Sequence, residues 1–516
     1  MIHLDRSHGH LVTLLLLPIA LAPAVESIQP LLGEPFIGGP REPNLLRPKD
    51  KYNQFTLAYH RDTGNTRSDD YLSPLGEEIK TLSTSQIKPA PLYWDDEGRL
   101  TAGAICNDTT TCIVALDRDT FNVTATWTGP TEHGSVPYFP FFTYSTVYYG
   151  RRYVTPALGP RILEVERIDN EQETSFKVFR DLDLSSIVGN NSQIINSQYD
   201  ADGNLWFTTG GFSGVGLGSA STTAVVGYVE PAGVIRHIGL PGSTIENGIA
   251  MSGSTVYLAT GPAGDNDHPN AVGYLYALEP SSEGVRILYT EKYDAGDGIK
   301  LGGISRGSGS SPSLLGNEYV TIIDNANERI NLLFFRQANS PSNSSNLLCK
   351  VPLFSPNASA NENTLGSHFN GDTYSVIVTN SFNAPPPINF FNSTTTINSS
   401  AHKVTNAGPG FARIDPNPQS GERGTRWEAD LRATGIPTLS TASGPLYQYS
   451  QGHDLARNGS YVWYVSGVDY ETGEIVFRIR TGAGPLFNNN YQSPTLGPDG
   501  AVYTWVQGGI VKVYDM

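Results

Sequence analysis

The sequence predicts an all-β fold, a single β-propeller, from three observations: a recurring strand phrase, its regular spacing, and the lack of a sustained helical period. The phrase consists of small or polar residues, one or two apolar ones, a tight turn, and then an aromatic-rich strand. Its clearest copies span 196–210, 246–260, 311–323 and 493–505, and weaker ones begin near Pro89, Ser135, Gly366 and Gly452. A unit repeated at roughly 40–60 residues with Gly and Pro between copies marks sheets arranged around an axis. The copies count to about eight four-stranded blades, with six or seven left open because the units at Gly452 and at the termini are the least regular.

The elements follow in order. Residues 11–22 form an apolar run of signal-peptide length ending in Ala22-Pro-Ala24, so 1–24 are expected to be a leader and the chain to be secreted; Pro18 and Pro23 argue against a membrane span. Residues 25–50, rich in Pro and Gly, read as an extended lead-in, and 51–516 as the propeller domain. A strand over 54–59 is expected to pair with the last blade, whose other strands lie at 501–505 and 510–514, so that both termini close the ring and leave no open edge. Alternating apolar residues place outer strands at 113–116, 227–236, 273–278 and 473–479. The stretch 382–410 has no strand period and reads as a long excursion from one blade.

The formal charge of −16 and the scarcity of clustered cations exclude nucleic acid and anionic membrane surfaces as expected partners. Eight Asn-x-Ser/Thr sequons, at Asn107, Asn122, Asn190, Asn343, Asn357, Asn392, Asn398 and Asn458, suit a glycoprotein of the secretory route. Cys106 and Cys112 bracket a polar turn and are expected to form a hairpin disulfide, while Cys349, in an apolar stretch, reads as a buried thiol. No metal-type Cys/His spacing occurs, and no cofactor or metal is expected.

Propeller function concentrates where inner strands begin around the channel. His133, Asn196, Glu246, Asn247, Ser311, His368, His453 and Gln492 stand at such starts, and Trp206, Tyr447 and Tyr449 are aromatic residues that either line a pocket or fill the blades. The pattern at 303–307, Gly-Ile-Ser-Arg-Gly, lacks the helix that a nucleophile elbow needs, and the Gly-rich run 210–218 lacks the helix that would cradle a phosphate. Asp200-Ala-Asp-Gly203 and Asp265-Asn-Asp-His268 read as tight turns.

The phrases Asp202-Gly-Asn-Leu-Trp-Phe207 and Asn247-Gly-Ile-Ala-Met-Ser252, followed by Val256-Tyr-Leu-Ala259, resemble the blade motifs of gluconolactonase and strictosidine synthase-like propellers. That resemblance implies an axial divalent ion, whose ligand positions match here at Asn247 and Asp324; the early Glu-Gly-Pro-type motif has no counterpart. The whole-chain pattern, with its leader, its sequons and the run 307–316 leading to Ile323-Asp-Asn-Ala-Asn327, is similar to secreted fungal propellers of secondary metabolism. Some of these are hetero-Diels–Alderases that join a tropolone quinone methide to a sesquiterpene alkene in meroterpenoid pathways. The similarity implies a cofactor-free enzyme acting on small apolar polyketide- and terpene-derived substrates. In that scheme His368, His453 and Glu246 are the catalytic candidates, and His133, Asn196, Asn247, Ser311, Gln492, Tyr447 and Trp206 the substrate-binding ones. Two alternatives stand beside it: a metal-dependent lactonase or hydrolase, and a non-catalytic binding propeller.

Overall fold

The computed structural model describes residues 29–516 apart from 86, 108–109, 132–134, 139–142, 191, 212–220, 339–344, 386–399 and 417–422. The expected leader, His133, the run after Gly211, and the sequons at Asn343, Asn392 and Asn398 lie outside the described residues. Among the described residues no helix is long and apolar enough to cross a membrane.

The chain is a β-propeller. Among the described residues seven hydrogen-bonded sheets hold the strands, and the nine-stranded one is two four-stranded units joined through Ser243–Thr244, so eight blades are described. Their innermost strands, which number the blades from 1 to 8, are Lys88–Trp94, Thr146–Tyr148, Ile194–Tyr199, Ala250–Ser252, Ser313–Leu315, Gly366–Phe369, Thr438–Ser440 and Thr495–Leu496. Each blade winds outward as antiparallel neighbours, as in blade 5, where Leu314 faces Val320, Val320 faces Phe335 and Phe334 faces Cys349. A blade is covered on both faces by its neighbours, so its central strands read as apolar runs without alternation; Tyr319–Ile323 is buried at every position. The outermost strands reach solvent and mix exposed with covered positions, as Thr174–Asp183 does.

Apolar clusters lie between successive blades. Met251 and Leu258 pack on Val226 between blades 3 and 4, Ile323 on Val376 between 5 and 6, and Tyr449 shares a cluster with Val511 between 7 and 8. Blade 8 packs back on blade 1, with the Tyr503 ring 4.9 Å from that of Trp94. Trp206 and Tyr447 are core residues of this kind: Trp206 Nε1 donates to Asp200 Oδ2 at 2.8 Å, and Tyr447 is buried with its hydroxyl on the Pro74 carbonyl.

The N-terminal strand does not pair where the sequence suggested. Thr56–Ala58 lies on the inner edge of blade 2, and the outer strand of blade 8 is Lys80–Thr84, paired with Gly509–Tyr514 from Ile510↔Thr84 to Tyr514↔Lys80. Between those strands the chain crosses the channel, and that detour moves the strand that closes blade 8 further along the sequence. Gly509 permits this closure: its φ is +150°, and a Cβ there would come within 1.7 Å of the Thr84 carbonyl oxygen. Gly509→Ala should therefore destabilise the fold by about 3 kcal/mol, read as a lowered denaturant midpoint; a midpoint equal to wild type would contradict this account of the closure.

The crossing tract, residues 56–69, meets the inner strand of every blade. Its backbone carbonyls accept from Met251 (onto Thr63, 2.7 Å), Leu314 (onto Gly64, 2.8 Å), Ser367 (onto Thr66, 2.8 Å) and Leu439 (onto Arg67, 3.0 Å). Thr56 Oγ1 donates to Tyr199 O at 3.3 Å, and Arg61 reaches Leu92 O and Leu496 O, both at 3.4 Å. Inner strands have one edge facing the channel, and the tract satisfies that edge, as short strands at Thr56–Ala58 and Ser68–Asp69 and through single hydrogen bonds elsewhere. Arg61, Asn65 and Arg67 take left-handed φ values of 86°, 56° and 54°, conformations held by these many bonds.

Two further expectations shift. The unit sought near Ser135 begins at Thr146, and the unit sought near Gly452 begins at Thr438; residues His453–Arg457 form a short helix between the second and third strands of blade 7. The other phrases fall on the first two strands of their blades, and 382–410 is an excursion between Tyr374–Thr379 and Phe411–Pro416. Cys106 and Cys112 form the expected disulfide across neighbouring strands of blade 1, their Cα atoms 6.0 Å apart, and Cys349 is buried in blade 5. Asn190, Asn357 and Asn458 are exposed in turns, as a glycan acceptor must be.

Candidate active site in the axial chamber

The crossing tract stops short of one end of the channel and leaves a chamber there, at the face where the inner strands begin. Its empty space, open mouth included, is about 1000 Å³. Tyr59, His60 and Arg67 of the tract form its floor. The walls come from segments just ahead of inner strands: Thr143 and Tyr144 before blade 2, Asn247 before blade 4, Glu362–Thr364 before blade 6 and Asn490–Ser493 before blade 8, with Tyr503 and Trp505 from the second strand of blade 8.

Glu362 is the most perturbed acid of the chamber. Its Oε1 accepts from the backbone N–H groups of Ile304 at 2.7 Å and Ser305 at 2.8 Å, and its Oε2 meets Ser305 Oγ at 3.2 Å. Burial, with the neighbouring Glu246 carboxylate adding to it, outweighs these donors and raises the carboxyl pKa to about 8. At neutral pH it is mainly a neutral acid, and the two backbone donors on Oε1 leave Oε2 to carry the proton. Burial also raises the phenols: Tyr59 to about 12, and Tyr144 and Tyr491 well above their ordinary value. Tyr59 donates to Gln492 Oε1 at 3.2 Å and Tyr144 to Asn247 Oδ1 at 3.2 Å. His60 is held neutral by burial and by Arg67, and its Nε2 lies 3.2 Å from Ser311 Oγ, which accepts from the Gly248 N–H at 2.9 Å. The chamber thus holds uncharged polar groups among aromatic rings and prolines, with the phenol protons of Tyr59, Tyr144 and Tyr491 directed to protein acceptors.

The sequence-derived candidates divide. Asn247 and Gln492 line the chamber. Ser311, Glu246 and Asn196 stand behind the wall: Glu246 Oε2 accepts from the Arg306 N–H at 2.8 Å, and Asn196 Nδ2 donates to Thr208 Oγ1 at 2.8 Å and to Asn247 O at 3.1 Å. His368 is elsewhere. It lies on the inner strand of blade 6, buried edge-on to Tyr470 with ring centroids 5.7 Å apart, and burial lowers its pKa to about 4. His453 opens the short helix of blade 7, partly exposed, its pKa lowered by partial burial and then by Arg457 and Arg432. Neither histidine is in the chamber wall, and Trp206 and Tyr447 are inside blades.

Asp324, the second position matched to an axial-ion ligand, is also committed away from the chamber: both its oxygens accept from Asn331 Nδ2, at 3.0 and 2.9 Å, and Lys350 Nζ lies 3.0 Å from Oδ2. Among the described residues no group of three or more His, Cys, Asp or Glu is placed to hold a metal ion. In two of the discounted motifs the polar residue serves the protein's own structure: Ser305 meets Glu362, and Asp200 closes its turn by accepting from the N–H groups of Asp202 and Asn204, both at 2.9 Å.

Sequence reasoning missed Glu362, Asn363, Tyr144, Tyr491 and the whole floor. One signal was available. Glu246-Asn247 stands four residues ahead of the strand that starts at Ala250, and Glu362-Asn363 stands four ahead of the strand that starts at Gly366, so the same dipeptide recurs at equivalent positions of blades 4 and 6.

No family model matches the chain. An uncharacterized protein of Archaeoglobus fulgidus is 22% identical over 303 residues, 52% of each chain, so the chain spans about half the length of the curated relative it matches. Among solved structures, a quinohemoprotein alcohol dehydrogenase from Comamonas testosteroni aligns over 89% of this chain and 80% of its own at 11% identity, with a TM-score of 0.52. BamB from Moraxella catarrhalis aligns over 83% of this chain and all of its own, 11% identical, with a TM-score of 0.45. A streptogramin B lyase aligns over 84% of this chain and 96% of its own at 11% identity, with a TM-score of 0.35. At such identities the dehydrogenase likeness shows the fold, and the fold alone.

Proposed function

We propose that this propeller is an enzyme that holds small, largely apolar organic substrates in the axial chamber and accelerates their reaction by positioning them and by hydrogen-bonding an oxygen that gains negative charge. The observation that carries this reading is Glu362, a buried carboxyl raised to about 8, in the wall of a chamber lined by Tyr59, Tyr144, Tyr491 and Trp505. The reaction class that suits such a site is the hetero-Diels–Alder joining of a tropolone quinone methide to a sesquiterpene alkene, which requires no nucleophile. Holding two partners in near-attack geometry supplies about 7–11 kcal/mol at best. One good donor to the quinone-methide oxygen adds roughly 1–3 kcal/mol, so most of the acceleration comes from the chamber's shape and the donor mainly orients the partners.

The test is direct. The purified full-length protein, given a tropolone quinone methide and a sesquiterpene alkene, should raise the rate of adduct formation and favour one stereoisomer. A rate and product mixture indistinguishable from the reaction without protein would sink the proposal.

A further inference from the structure

The chamber contains one charge that this reading leaves unused. Three cations, Lys49, Arg61 and Arg67, gather at the crossing tract, and the carboxylates that meet them are Asp62 and Asp69. Lys49 lies 3.3 Å from Asp62 and 3.7 Å from Asp69, and Arg61 lies 2.7 Å from Asp69. Those two carboxylates are committed to Lys49 and Arg61, and Arg67 makes no ion pair among the described residues. Its Nη2 donates to the Thr438 hydroxyl and the Pro494 carbonyl, and its buried Nε has no hydrogen-bond partner among the described residues. Only 3% of the residue is exposed, yet it is among the residues that line the chamber.

A buried guanidinium without a carboxylate is costly, and burial together with the repulsion of Arg61 holds its pKa down to about 9. The nearest acid of the chamber wall, Glu362, is mainly protonated at neutral pH and neutralises nothing. With Nη2 committed to Thr438 and Pro494, what Arg67 leaves for an anion is its positive charge and the unpartnered Nε–H, which suit an oxygen that carries negative charge.

Building on the small-molecule reading of the chamber, we propose that its ligand carries an anionic oxygen, that of a carboxylate or a delocalised enolate, bound against Arg67, with an aromatic or apolar body against Tyr144, Tyr491 and Trp505. The bound anion completes the charge balance that the protein leaves open, so ligands of this class bind in preference to neutral ones of the same shape.

Benzoate and its neutral counterpart benzamide separate the two cases. Calorimetric titration of the full-length protein at pH 7 in low salt should show benzoate binding at least tenfold more tightly than benzamide. Arg67→Gln should erase that difference, and Arg67→Lys, which keeps the charge but loses the Nε–H, should retain part of it. Equal affinities for the two probes in wild type, or an unchanged preference for benzoate in Arg67→Gln, would overturn the proposal. Should the Gln variant fail to fold, a crystal of the wild type with 4-bromobenzoate decides: a carboxylate on the Arg67 guanidinium supports the site, and bromine density elsewhere refutes it. Turnover of neutral cycloaddition partners with no preference for benzoate would sink this inference alone. A benzoate preference without turnover would leave it standing and count against the enzyme reading.

Discussion

Asp69→Ala is expected to cost about 3–5 kcal/mol of stability, because it removes one partner of a buried ion pair and leaves the other charged. The Asp69 side chain is 5% exposed and that of Arg61 is 8% exposed; the pair meets at 2.7 Å, with Lys49 3.7 Å away on the other carboxylate oxygen. Without the carboxylate, Arg61 would stand in the channel next to Arg67, and the tract that contacts all eight inner strands would carry two uncompensated guanidinium groups. Asp50→Ala is the internal comparison. Its partner Arg47 is 40% exposed, and a screened pair of that kind contributes about 0–1 kcal/mol. Chemical denaturation reads both variants, and an Asp69→Ala midpoint no lower than that of Asp50→Ala would show that the tract does not depend on this pair.

The second large effect belongs to Glu362. Glu362→Gln keeps an oxygen for the Ile304 and Ser305 N–H groups and puts a weaker amide N–H donor in place of the acid O–H, so turnover should fall by about tenfold with substrate binding little changed. The wild-type carboxyl also couples stability to pH. Its folded pKa of about 8 lies above its ordinary value of 4.5, so the folded state holds the proton more tightly than the unfolded chain. Below that ordinary value both states are protonated and the stabilisation is complete. As pH rises towards 8 the unfolded chain loses the proton first, and stability declines by at most about 1.4 kcal/mol per pH unit, levelling off once the folded state has also ionised. Activity that depends on the neutral acid falls over the upper end of the same window. In Glu362→Gln this pH-dependent loss should be absent; a variant as pH-sensitive as wild type would place the titration on another group.

Much of the fold was legible because a blade is a local object. Strand, turn and aromatic strand occupy about a dozen consecutive residues, as in 493–505, and the apolar runs of central strands mark sheets covered on both faces. The unit beginning at Thr438 escaped notice because its second strand, Leu446–Gln451, alternates aromatic and polar residues, and because Gly452, the N-cap of a short helix, imitates a turn between strands. The candidate site was legible only in outline. Of the residues picked at the starts of the strand phrases, Asn247 and Gln492 line the chamber, whereas His368 lies within the inner strand of blade 6 and His453 opens the short helix that imitated a blade start.

The sequence by itself determined the repeat, the strand phrases, the hairpin disulfide and the acidic balance, since each depends on residues near one another along the chain. Tertiary structure alone decided that 56–69 would cross the channel, which strand would complete blade 8, and that Glu362, Tyr144, Tyr491 and Arg67 would share one chamber. The physical reason lies in burial. The tract His60-Arg-Asp-Thr-Gly-Asn-Thr-Arg-Ser-Asp69 has the composition of an exposed loop, and it is buried because the channel-facing edges of eight blades offer it backbone partners, a condition met only once the ring has formed.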